Sequence, residues 1–169
     1  MTISMYAASV PVFKQLLSSM SANLDKAAAH VTEKKIDPNA LLQARLFPDM
    51  LPLVKQVQIA CDFARGVSAR LAGVDVPAHE GTEASFADLD ALIESTLAFV
   101  GGLDAAKFDG AESRDIVLRP GTPKERKLGG QTYPTAYGLP QFFFHVTTTY
   151  AILRHNGVAI GKKDYMGVY

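Results

Sequence analysis

Residues 142–157 read FFFHVTTTYAILRHNG, a long apolar run with one histidine in its body and a second at its exit. With His145 as zero on a helical wheel, Ile152 lies about 20° away, Thr149 about 40° and Phe142 about 60°, so all four share one face. That face suits a bundle interior and carries the best candidate for a site, since His145 and Thr149 are neighbours one turn apart. Pro140 can open the helix and Gly157 can close it. His155 is about 80° round and roughly 15 Å along the axis from His145, too far for both imidazoles to hold one ion. With Arg154 it occupies the last turn, where cationic side chains meet the negative end of the helix dipole.

Upstream, Val12, Leu16, Leu17, Met20, Leu24, Ala27, Ala28 and Val31 recur at three- and four-residue steps, predicting a first long helix from Ser9 to about Lys34 with Pro11 in its opening turn. Asp37-Pro38 then supplies cap and first residue of a short helix, Pro38 to Ala44. Phe47-Pro48-Asp49 interrupts it, and Asp49 is predicted to cap a second long helix reaching Ala72-Gly73. Its apolar stripe is Met50, Val54, Val57, Cys61, Ala64 and Val67. Lys55, Gln58, Asp62 and Arg65 form a polar stripe, read as a solvated face on which Asp62 and Arg65 can pair. Val74 to Ala84 has loop chemistry, and His79 within it is assigned an exposed position and no role.

Ser85 with Asp88 three residues on nearly matches a capping box and opens a third long helix ending at Gly101-Gly102. Leu89, Leu92, Ile93, Thr96 and Val100 are its core face. Asp115 to Arg119, a turn at Pro120 to Pro123, and Lys124 to Leu128 predict a small β-hairpin ahead of the last helix. No internal repeat, low-complexity tract or interdomain linker breaks this order.

The 169 residues suit one domain able to bury a core without disulfide or metal staples. Hydrophobic residues make up 48% of the chain but aromatics only 9%, and tryptophan is absent, which favours helices packed on helices. Seventeen basic residues balance seventeen acidic ones and no run is dense enough to neutralise a row of phosphates, so nucleic acid is not an expected partner. Cys61, the single cysteine, reads as a buried small hydrophobe and suits a reducing compartment. The opening MTISMYAASVPVFKQ has no basic segment ahead of an apolar one, and no stretch approaches the roughly 20 apolar residues of a membrane span. A cytoplasmic protein without a membrane partner is expected.

His145 has two readings. Apolar neighbours desolvate it and keep a neutral imidazole available for a metal or a proton transfer, or the ring is a satisfied core residue donating to a carbonyl. A transition-metal ion needs three or four ligands, so His145 alone is insufficient. Asp62 or Asp49 can add oxygen, and Gln58 can if it points inward, against the sense of its polar neighbours. His30, near the end of the first helix, fits a surface turn better. Gly101-Gly102 and Gly129-Gly130 lack the lysine or the strand-to-helix setting of a phosphate loop. No nucleophile elbow is present, and Cys61 has no adjacent cation in sequence to lower its pKa.

The run FFFHVTTTYAILRHNGVAIGKKDYMG, together with RLFPDMLPLVKQVQIACDFARGVSARLAG at residues 45–73, resembles a domain-of-unknown-function family of the DinB/YfiT-like superfamily. The similarity extends from Met5-Tyr6 to Asp164-Tyr165. It implies an all-α four-helix bundle with a long crossover and the hairpin between the third and last long helices, commonly homodimeric. Superfamily members often hold a divalent metal, such as zinc or nickel, between helices with three histidines, two of them from an HxxxH on the last helix. Here that step carries His145 and Thr149, and the second long helix has no histidine, which departs from the pattern.

The tail from Gly157 to Tyr169, with Lys162, Lys163, Asp164, Tyr165 and Met166, either packs over the bundle or forms an interface. The first functional reading is a homodimer with a small-ligand pocket drawn from His145, Thr149, Asp62, Gln58 and Tyr6, its ancestral metal site lapsed. The alternative implied by the resemblance is a divalent-metal enzyme of the thiol-linked transferase type, with His145 as a ligand. A third is an interaction module acting through its dimer surface.

Overall fold

The computed structural model describes residues 3–169. Helix α1 spans Met5–Lys34, beginning a turn before the periodicity suggests because Ser4 is the cap, its hydroxyl accepting from the Ala7 amide at 3.1 Å. Pro11 therefore lies in the helix body and not in the opening turn, where it leaves the Ala7 carbonyl without its usual amide. Helix α2, Pro38–Leu42, is capped by Asp37 as the Asp-Pro pair predicts, and stops two residues short of Ala44. Helix α3 spans Leu53–Ala72 with Pro52 at its cap position and no side-chain cap. Asp49 does not cap it. Pro48 and Pro52 push the residues before them out of the helical region, and Asp49 falls in a turn closed by the Met50 amide on the Phe47 carbonyl at 3.0 Å.

Helix α4, Phe86–Gly101, follows its sequence signature, with the Asp88 amide on Ser85 Oγ at 3.1 Å and the predicted five residues buried. Strands β1, Asp115–Leu118, and β2, Arg126–Gly129, pair antiparallel with Leu118 opposite Arg126. The return strand starts two residues later than predicted because residues 119–125 are spent on a folded loop, in which Glu125 accepts from the Gly121 amide at 2.8 Å. A π-helical turn, Tyr133–Gly138, leads into helix α5, Leu139–His155, and helix α6 is Lys162–Met166. Four long helices and one small hairpin thus stand in the order expected from the sequence.

The segment between α3 and α4 is the long crossover, running back along α3. His79 meets Asp62, Gly81 accepts from Lys55 Nζ at 3.4 Å, and Glu83 accepts from Gln58 Nε2 at 2.6 Å. Helix α4 consequently starts beside the first half of α3 and shares its direction. Helix α5 opposes them, with Tyr133 by Arg70 at one end and His145 by Gln56 at the other. This cover corrects the reading of the polar stripe: Gln58 and Arg65 are only 3% and 6% exposed, while Lys55 and Asp62 keep solvent.

Arg114 holds the hairpin to the bundle, its Nη1 donating to the Leu71 carbonyl and, at 3.4 Å, to that of Arg70, at the negative end of α3. Two glycines permit close approach here. A Cβ on Gly130 would stand 1.7 Å from the Ala111 carbonyl oxygen, and one on Gly138 would stand 2.5 Å from Val67 Cγ2. The tail packs intramolecularly on α1, where Gln15, Ser19 and Asn23 donate to the carbonyls of Met166, Tyr165 and Asp164 at 2.8, 2.8 and 3.2 Å. No helix among the described residues is long and apolar enough to cross a membrane.

Candidate functional site

His145 is buried on the α3-facing side of α5, as its position on the wheel predicts. Its Nδ1 lies 2.7 Å from Gln56 Oε1, and the Gln56 amide nitrogen donates to the Leu51 carbonyl at 2.9 Å. With the amide so oriented, Nδ1 is the donor and the neutral ring leaves Nε2 unprotonated. Phe63 stacks on the ring at 6.0 Å and Phe144 meets it edge-on at 5.2 Å. Burial in this setting pushes the His145 pKa down. Thr149 is on the same face one turn on, and its buried hydroxyl has no partner among the described residues.

These groups do not fit a three-imidazole ion. One imidazole is present, its Nδ1 is engaged, and a neutral hydroxyl stands at the next turn; among the described residues no three His, Cys, Asp or Glu side chains converge as a metal cluster. Cys61 is equally unsuited to nucleophilic chemistry, since burial pushes its thiol up to about 12.

Asp62 and Gln58 are on another side of α3 from His145. Asp62 accepts from Arg65 Nη2 at 2.7 Å, which confirms that pairing, and also faces His79 Nδ1 at 2.8 Å. His79 Nε2 is 3.0 Å from Glu83, which in turn takes the Gln58 amide. His79 is therefore not a free loop histidine; its side chain is 12% exposed and bridges crossover to helix. The only sequence signal for it was the four-residue polar stripe of α3, which needs cover or water. His30 is half-buried near Gly157, and His155 is exposed. Tyr6 packs edge-on to Phe108 at 5.2 Å and lines a wide groove of about 860 Å³ between α1 and the tail. The five predicted residues thus occupy three places, with only His145 and Thr149 on one face and Asp62 and Gln58 in one network.

Sequence reading missed a cleft between α3, the π-helical turn and the hairpin. Asp62, Phe63, Gly66, Arg70, Leu118, Arg119, Tyr133 and Tyr137 enclose about 140 Å³ there. Arg70 is fixed by Nη1 donating to the Gly66 carbonyl at 3.0 Å and to the Tyr133 hydroxyl at 3.2 Å. Burial raises the Tyr133 pKa, partly offset by Arg70, so the phenol stays neutral. Phe63 forms a wall shared with His145, meeting Tyr137 at 5.8 Å on its other flank. Short π-helical insertions recur at functional sites, and this one delivers both tyrosines.

No curated protein matches the chain. A crystal structure of a DinB family member protein from Shewanella denitrificans is 39% identical and superposes with a TM-score of 0.91, covering 98% of this chain and 93% of that one. The family model described as a domain of unknown function, DUF1993, matches residues 5–166. With every element from α1 to α6 inside that match, the chain belongs to the DUF1993 family of DinB-like bundles.

Proposed function

We propose that this bundle is a non-catalytic, small-ligand-binding member of its family that works as a homodimer. The observation that carries the ligand reading is the cleft at Phe63, Arg70 and Tyr137, which combines aromatic walls with a guanidinium held in place before any ligand arrives. The larger groove beside α1 is a weaker candidate, because Gln15, Ser19 and Asn23 on its floor already bind the tail. His145 supports the wall from behind by stacking on Phe63, its own ring fixed by the bond to Gln56.

A fragment screen by two-dimensional amide NMR on the full chain tests this. Hits should shift the amides of Phe63, Arg70, Leu118 and Tyr137; hits that cluster along α1 and α6, or no hits, would overturn the assignment.

The second copy is assigned to the outer face of α5. Leu46, Phe143 and Phe144 are exposed there, and with Pro140, Thr147 and Ala151 they line a depression of about 350 Å³ that holds no charged side chain. An uncharged apolar face can match its own copy across a two-fold axis.

A further inference from the structure

We propose that the cleft takes a small organic anion, a carboxylate or phosphate ester carried on a single aromatic ring. The inference rests on the ligand-binding reading above and adds the chemical class. The cavity has two compartments, of about 140 and 220 Å³, which share Leu118, Arg119 and Tyr137. The smaller one is walled by Phe63, Tyr133 and Tyr137, the two tyrosine rings lying nearly parallel at 6.1 Å. Apolar cavities of roughly 150 Å³ accept a benzene ring, so this compartment has one-ring capacity.

Charge decides the rest of the ligand. Arg70 lines the smaller compartment, Arg119 both, and Lys124 and Arg126 the larger. Among the described residues, none of these four cations has a carboxylate within salt-bridge distance. The one acid in the lining, Asp62, already faces Arg65 and His79. The surplus around the aromatic compartment is positive and attracts anions, and a guanidinium's planar fork matches a carboxylate or phosphate edge. Arg119 also has φ +51°, a left-handed conformation that arginine rarely adopts, at the point where the compartments meet.

The test is an amide NMR titration of the full chain with benzoate, phenyl phosphate, neutral benzamide and inorganic phosphate, repeated on Arg119→Gln. Arg119 is exposed, and the variant's melting temperature checks its fold. Saturable shifts at Phe63, Leu118, Arg119 and Tyr137 are expected with benzoate or phenyl phosphate, the better of the two naming the anionic group. Arg119→Gln should weaken that anion about tenfold, the loss of one charged hydrogen bond, and leave benzamide unchanged. Benzamide binding as tightly as both anions, or anion binding indifferent to Arg119→Gln, overturns the anionic class while leaving a small-molecule cleft standing. Inorganic phosphate matching phenyl phosphate overturns the aromatic requirement. Silence from both organic anions at these amides overturns the inference, whatever the fragment screen shows.

Discussion

His145 shows what a buried neutral histidine contributes to stability. Its pKa is lowered by burial, so the unfolded chain binds a proton at a pH where the folded chain does not. The stability this neutral ring supports is therefore complete above about pH 6.5 and is lost as pH falls toward the depressed folded value. His145→Phe removes both the titration and the donor to Gln56, and should cost about 1–3 kcal/mol at pH 8 through the buried amide oxygen left unpaired. Urea unfolding of both proteins from pH 8 to 5 should show that gap narrowing; a constant gap would contradict the account. The burial of His145 was legible from spacing alone. Gln56 was not, because α3 is covered on most of its circumference and a helix read as half-wet hides its inward polar residues.

The crossover is where an element depends on contacts that no local pattern encodes. Its hold on α3 is polar: His79 between Asp62 and Glu83, and Gln58 on Glu83. Burial pushes the Glu83 carboxyl up, but hydrogen bonds from its own backbone amide, His79 and Gln58 outweigh this and keep it below the usual carboxylate range. His79→Ala should release the strap at a cost of about 1–2 kcal/mol, read as faster hydrogen exchange at residues 76–84 with the amides of α1 and α5 little changed. Uniform acceleration, or none, would sink the idea. Capping signals at Asp37 and Ser85 were sound because each acts within three residues. Asp49 misled because a second proline, Pro52, moved the helix start beyond its reach.

For the molecule as a whole, the four helices and hairpin were legible from periodicity and turn residues, whereas the parallel pairing of α3 and α4 rests on a loop whose path the sequence does not mark. The apolar face of α5 belongs to this scale too. Phe144→Glu places a charge in the proposed two-fold contact and should convert a dimer to a monomer in sedimentation analysis, with helix content retained. A wild-type monomer at tens of micromolar would remove the homodimer. The tail carries a different consequence. Its bonds to α1 join residues 151, 146 and 141 positions apart, closures that cannot form until everything between is in place. Helix α1 comes early in the chain yet gains one of its flanks late, so a chain broken off before residue 162 exposes Ser19 and Asn23 and leaves truncated copies open to proteolytic clearance.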